Sequence, residues 1–150
     1  MQIKGKENAL MAIMAVLWLA VMVLGWTNHY LVGMIVAVFL MLTHMLMGVA
    51  KNGKVSSKFL VYPLVIWTIL WIASFCLSDY YAALFAGKMP TFNVAGFHPS
   101  FAPTFFMYYL GGMATLTVGF AVFQNDWLSD QDWENFLDRV KKNKMEEPNG

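Results

Sequence analysis

The chain has 150 residues and a mass of 17.0 kDa, about the size of one domain. Hydrophobic residues make up 59% and charged residues 13%, against roughly 45–50% and 25% in globular domains. A domain this small would expose too much apolar surface to water, so the composition predicts an integral membrane protein. The formal net charge of +1 excludes a basic surface for nucleic acid. A single cysteine, Cys76, excludes an intramolecular disulfide.

Apolar runs along the chain predict four transmembrane helices. From Asn8 to Ala50 there is no Lys, Arg, Asp or Glu, which allows two crossings of about 20 residues each. The polar and aromatic cluster at 26–30 divides this run into helix 1 at about 9–26 and helix 2 at about 30–49. Two further spans are expected, at about 59–78 with Pro63 in its first turn, and at about 103–123. The predicted fold class is an all-α integral membrane protein with four transmembrane helices and a short C-terminal amphipathic helix.

The distribution of positive charge predicts the orientation of these helices. Nine Lys and Arg residues fall on one side of the four-helix plan: Lys4, Lys6, Lys51, Lys54, Lys58, Arg139, Lys141, Lys142 and Lys144. Only Lys88 falls on the other side. The positive-inside rule therefore predicts a plasma-membrane protein (cell inner membrane if bacterial) with both termini cytoplasmic.

The first 26 residues have an alternative interpretation as a cleaved signal peptide, because Lys4 and Lys6 resemble its charged start. The apolar run that follows is about twice the usual length for such a peptide, and no clear small-x-small cleavage site follows it. A retained first helix is therefore favoured.

Two segments outside the spans are distinctive. The predicted transmembrane domain, 1–125, includes an outer segment at 79–102 that is rich in aromatic residues and nearly free of charge, so it either lies in the membrane interface or packs on a partner. The cytoplasmic tail, 126–150, has a helix-capping pattern at Ser129 and Asp132. An apolar stripe at i, i+3, i+4 and i+7 follows, and it needs a membrane surface or a protein to rest on: Trp133, Phe136, Leu137 and Val140.

His44 is the one ionisable side chain expected inside a span, on a helical face shared with Met41 and Met45. Three interpretations remain open. The residue is a neutral histidine hydrogen-bonded to a neighbouring helix or to the surroundings of Thr43, a contact for a quinone or lipid headgroup, or a ligand for haem b or a metal. The third is weakened because His29 and His98 are both expected on the outer side, which leaves no second axial ligand at that depth.

Helix 4 carries a stripe of small residues, Gly111, Thr115 and Gly119, with Gly112 beside it. Such a stripe lets another helix approach closely, either within this chain or in a larger subunit. In helix 3, Trp67 and Trp71 lie one turn apart and are expected to present a wide surface to lipid or to a partner.

The predicted spans contain no acidic or basic residue of the kind that ion-coupled carriers place within the bilayer. The spans also contain no acidic pair, and the chain has no HExxH motif, so we expect no catalytic residues and no enzyme activity. The plan of four spans, inside termini and an amphipathic tail is similar to that of the small membrane subunits of tripartite secondary transporters. This resemblance implies a non-catalytic subunit of a larger membrane complex. The alternatives are a membrane anchor of an electron-transfer complex and a small enzyme or carrier that acts alone.

Overall fold

A computed structural model describes residues 5–50 and 54–146 of the protein, and this part of the chain is built from helices without β-strands. Lys4 and Lys51, two of the predicted cytoplasmic charges, lie outside the described residues. The elements are α1 (Glu7–Trp26), α2 (Tyr30–Gly48), α3 (Ser57–Leu84), α4 (Thr104–Val122), α5 (Gln124–Trp127) and α6 (Asp130–Glu146). The first four are long and apolar enough to cross a membrane, which confirms the predicted helical class and the number of such helices.

A tight turn joins α1 to α2. Asn28 adopts a left-handed conformation with φ of 61° just after α1 ends. The N–H of His29 donates to the carbonyl of Leu24 at 2.9 Å, and the N–H of Asn28 donates to the carbonyl of Gly25 at 3.3 Å. This is the Schellman pattern, which satisfies the last carbonyls of α1. The turn therefore folds α2 back along α1 within three residues.

The third helix differs from its predicted limits at both ends. It begins at Ser57, so Pro63 lies in its second turn, where the helix widens to π-helical geometry over Leu60–Val65. A proline has no N–H to donate and its ring crowds the preceding turn, and the wider turn accommodates both. The helix also continues past residue 78 to Leu84, because the exposed Asp79 does not interrupt it and the chain turns only at Gly87, where φ is 68°.

The fourth helix follows Pro103 and is π-helical over Thr104–Gly111 before it becomes α-helical. Near its start, the hydroxyls of Thr104 and Ser78 lie 3.0 Å apart in a hydrogen bond between α4 and α3. This bond ties the two helices together at the end where α3 ends and α4 begins.

The helices pack in chain order, α1 on α2, α2 on α3 and α3 on α4. At the end where α2 finishes and α3 begins, Val49, Val55, Phe59 and Leu64 form a buried cluster. The Phe59 ring meets the Phe120 ring of α4 edge to face, with centroids 5.1 Å apart. By contrast, α1 has no buried residue.

The outer segment between α3 and α4 is an ordered turn. Val94 and Phe97 exchange two backbone hydrogen bonds of 3.0 and 2.9 Å around Ala95 and Gly96, both of which have positive φ. These angles match the type I′ turn of hairpins. The Phe97 ring lies 4.7 Å from that of Phe105, which folds the segment onto the start of α4. The segment is thus held by aromatic contacts within this chain, although Phe101 stays about half exposed.

Candidate functional site

His44 has a defined hydrogen bond in α2. Its Nδ1 lies 2.8 Å from the carbonyl oxygen of Leu40, one turn earlier. A carbonyl can only accept, so Nδ1 carries the proton and Nε2 has the lone pair in the neutral ring. No described residue donates to Nε2, and the side chain is exposed at the surface of the helix hairpin. The hydrogen bond therefore lies within α2 itself and not with a neighbouring helix, and it leaves Nε2 available.

His44 also lines an apolar groove between α1 and α2. The groove has a volume of about 400 Å³ and opens to the surface. Its lining residues are Trp18, Val21, Ala37, Leu40, Met41, His44 and Met45. Leu40 is only 3% exposed and forms the floor, while Trp18 is 54% exposed and forms part of a wall. The imidazole is thus the one ionisable side chain in an otherwise hydrophobic slot.

The other two histidines do not join His44. His29 lies in the α1–α2 turn, 3.1 Å from the Thr27 hydroxyl, and about 20 Å along α2 from His44 by helical rise. His98 lies in the outer segment, where its Nδ1 contacts the Ser100 hydroxyl at 2.8 Å. No group of three His, Cys, Asp or Glu residues in the described ranges could hold a metal ion. The chain alone therefore offers one imidazole where a b-type haem commonly has two axial ligands.

The small-residue stripe of α4 packs against α3 of the same chain. Gly119 is buried, and a Cβ added there would overlap the ring of Pro63. At Gly111, an added Cβ would lie 3.4 Å from the Leu70 side chain. The Thr115 hydroxyl donates to the carbonyl of Gly111 at 2.6 Å, within α4 itself. At Gly119 the stripe is therefore used for packing within the chain, because α3 already occupies the space beside this glycine that a larger subunit would need.

The same interface corrects the expectation for the tryptophans of α3. Trp67 is fully buried and does not face lipid, and its ring lies 4.3 Å from that of Trp71. Trp71 lies in turn 4.0 Å from the ring of Tyr108 in α4 and against the bare backbone of Gly112. The i, i+4 spacing of two tryptophans does not reveal which face of the helix turns inward, so the sequence could not place them.

Sequence reasoning missed three buried polar atoms in this region. Nε1 of Trp67, Nε1 of Trp71 and Oγ of Ser74 have no hydrogen-bond partner among the described residues. Buried donors without partners cost roughly 1–3 kcal/mol each. The three residues recur at i, i+4 and i+7 along α3, and of the three it is Trp71 whose ring contacts a ring of α4, that of Tyr108.

The apolar stripe of α6 is present and uncovered. Trp133 is 53% exposed, Phe136 is 50% exposed and Leu137 is 38% exposed, while Val140 is partly covered. The rings of Trp133 and Phe136 stack 5.6 Å apart. The helix runs for 17 residues, longer than the three turns that the sequence predicted. Its apolar side chains are therefore available to a surface outside the chain.

The predicted cap of α6 forms a reciprocal pair. The backbone N–H of Ser129 donates to Oδ2 of Asp132 at 2.9 Å, and its hydroxyl donates to the same oxygen at 2.6 Å. The N–H of Asp132 points back to the Ser129 hydroxyl at 3.4 Å. This is the arrangement of a capping box, with aspartate in the third helical position.

Comparisons of the chain with protein-family models, with curated proteins and with solved structures found no match.

Proposed function

We propose that this protein is a small, non-catalytic membrane subunit of a larger complex, and specifically of a secondary transporter. The observation that carries the proposal is the stripe of Trp133, Phe136 and Leu137, three large apolar side chains left exposed on an amphipathic helix. Contiguous exposed apolar residues of this kind mark an interaction surface. A larger integral membrane subunit is the partner that would cover the stripe, and the lipid bilayer surrounds the four spans.

The distribution of charge supports the same proposal. Within the four spans, charged side chains occur only near the helix ends. The central part of each span lacks Asp, Glu, Lys and Arg. Ion-coupled transport usually needs a charged or ion-binding group within the membrane. In this proposal the larger subunit supplies the group that couples transport, and the present chain supplies packing surface. No catalytic residue and no metal are assigned.

The proposed location is the plasma membrane, the cell inner membrane in a bacterium, with both termini in the cytoplasm. Single cysteines introduced at Lys54 and Lys88, two exposed positions, test this orientation in a Cys76→Ser background. An impermeant maleimide added to intact cells should label the Lys88→Cys variant and leave the Lys54→Cys variant unlabelled. Labelling of both positions from outside would contradict the four-span topology.

The stripe of α6 can be tested by charge placement. The double variant Phe136→Asp and Leu137→Asp puts two carboxylates on the stripe, where each large side chain contributes roughly 1.5–3 kcal/mol when it is buried. The matched control is Gln131→Asp with Asn135→Asp, which adds the same charge to exposed positions on the opposite face. Affinity purification from native membranes should recover a multi-span partner with the wild type and the control, and lose it with the stripe variant. Equal recovery with all three proteins, or no partner with any, would overturn the proposal.

A second candidate is a membrane anchor of an electron-transfer complex, with a haem b or a quinone near His44. The available Nε2 of His44, in an apolar groove, is the observation that favours it. The chain supplies one imidazole at this depth, so a six-coordinate haem b would take its second axial ligand from a partner. A visible absorption spectrum of the complex, purified in wild-type and His44→Leu forms, distinguishes the candidates. A Soret band that depends on His44 would support the membrane-anchor candidate. A spectrum without a Soret band would exclude a haem from that candidate.

A further inference from the structure

The groove that contains His44 continues along the hairpin into a second groove. The second groove has a volume of about 280 Å³ and shares Val21 and Ala37 with the first. It extends the apolar slot past Gly33 and Gly25 towards the α1–α2 turn. The result is a slot with His44 near one end, Tyr30 near the other and hydrophobic walls between them.

We propose that this slot binds a quinol, a lipid-soluble molecule with a hydroxyl-bearing aromatic head and an apolar tail. The head lies beside His44, where its hydroxyl donates a hydrogen bond to Nε2. The tail follows the second groove. The inference rests on the proposed membrane location of the chain, and it holds for either of the two complexes considered above.

The existing hydrogen bond of His44 indicates that the ligand carries a hydroxyl. Because Nδ1 donates to the Leu40 carbonyl at 2.8 Å, Nε2 of the neutral ring is an acceptor and cannot donate. In hydrocarbon an acceptor gains most from a ligand that brings its own donor, since little water competes for the lone pair. A quinol hydroxyl is such a donor. The carbonyl oxygen of an oxidised quinone is a second acceptor, so the geometry favours the reduced form.

The side chains that line the first groove favour a ligand with an aromatic head. Met41 and Met45 lie one turn apart and line it together with His44, and thioether sulfurs make favourable contacts with aromatic rings. The partly exposed indole of Trp18 offers a further flat surface. The volume of about 400 Å³ is within the range of small-molecule pockets. A lipid alcohol could satisfy Nε2, but its aliphatic head would not use the ring-binding character of these three residues.

The test is equilibrium binding of decylubiquinol to the full chain in phosphatidylcholine nanodiscs under anaerobic conditions. The wild type should bind decylubiquinol at least several-fold more tightly than decylubiquinone. His44→Leu should weaken quinol binding roughly tenfold, the effect of losing one hydrogen bond, and should abolish the preference for the reduced form. His29→Leu removes an exposed histidine outside the slot and serves as the matched control.

A second variant tests the slot without changing the histidine. Ala37→Phe places a ring in the part shared by the two grooves and should block the tail, so that affinity falls while His44 remains. Thermal melting of each variant verifies that the fold is retained. Equal quinol binding by the wild type and His44→Leu would overturn the site. Displacement of decylubiquinol by an equal concentration of dioleoylglycerol would overturn the quinol assignment in favour of a lipid alcohol. Since the isolated chain is used, a missing partner in the purification experiment does not affect this result.

Discussion

The α3–α4 pair and the α1–α2 hairpin are both built from helices long enough to cross a membrane, yet their helices pack in different ways. In α3, Pro63, Leu64 and Trp67 are buried, and the bare backbones of Gly112 and Gly119 in α4 receive side chains of α3. In the hairpin, no residue of α1 is buried and an apolar slot remains open along one side. The first pair is closely packed on both helices, whereas in the hairpin the buried residues, Gly33, Val38 and Leu40, all lie in α2.

This difference shows that hydrophobicity alone does not determine which helices become buried. In lipid there is no hydrophobic gain from pairing two apolar helices, so close van der Waals contact and hydrogen bonds must hold them. The α3–α4 pair has glycines at the contact and the hydrogen bond between Ser78 and Thr104. The hairpin depends mainly on its short turn, on the interface between α1 and α2, and on the packing of α2 against α3. We therefore expect substitutions to be costly in the first region and tolerated in the second.

The largest expected effect is the loss of a core ring. Phe59 is 1% exposed and contacts the rings of Phe120 and Phe123, so Phe59→Ala should lower the free energy of unfolding by about 3–5 kcal/mol. Val16→Ala, at a position of α1 that is 65% exposed, should change it by less than about 0.5 kcal/mol. Unfolding titrations in mixed detergent micelles compare the two. Similar losses for both variants would mean that the hairpin is as tightly packed as the core.

An intermediate effect is expected when the helix contact is filled. Gly119→Ile would push a side chain into the ring of Pro63 and should cost about 1–3 kcal/mol, with a lower melting temperature. Ala121→Ile, at an exposed position of the same helix, controls for the added hydrophobicity. Gly25→Ile is the matched change in the hairpin, because nothing lies within 4 Å of its added Cβ. If Gly25→Ile proved as damaging as Gly119→Ile, the proposed contrast between the regions would be wrong.

The smallest effect concerns the hydrogen bond between Ser78 and Thr104. Hydrogen bonds between membrane helices contribute about 0.6 kcal/mol on average in double-mutant cycles. A cycle of Ser78→Ala, Thr104→Val and the double variant should give a coupling free energy of about this size, because the two hydroxyls are 3.0 Å apart. A coupling free energy of zero would mean that the contact between α3 and α4 is stabilised by the glycines and the aromatic rings and not by this hydrogen bond.

Much of the architecture was predictable because charge is so sparse in the chain. The run from Asn8 to Ala50 and the polar residues within it predicted the ends of α1 and α2 closely. The end of α3 was less predictable, because the uncharged run stops before Asp79 while the helix continues to Leu84 and the chain turns at Gly87, where φ is positive. The π-helical turn at Pro63 has no clear signal in local sequence, since proline is also common in ordinary first turns.

The functional candidates were predictable only as residue types. Spacing identified His44 with its two methionines, and it identified the stripe of α4. Spacing could not show that Nδ1 is bonded to the Leu40 carbonyl, or that Gly119 meets Pro63, because both depend on rotamers and on which helix faces which. The cap of α6 is the exception, because Ser129 and Asp132 are three residues apart and their contact is local.

The turn between α1 and α2 also bears on how the chain would enter a bilayer. Only three residues separate the helices, so we expect α1 and α2 to insert together and not one after the other. In the proposed topology we expect the two helices to enter the bilayer as one hairpin, with the polar residues Thr27, Asn28 and His29 at its tip. A longer polar linker inserted at this turn should thus alter membrane integration during synthesis more than it alters the finished fold.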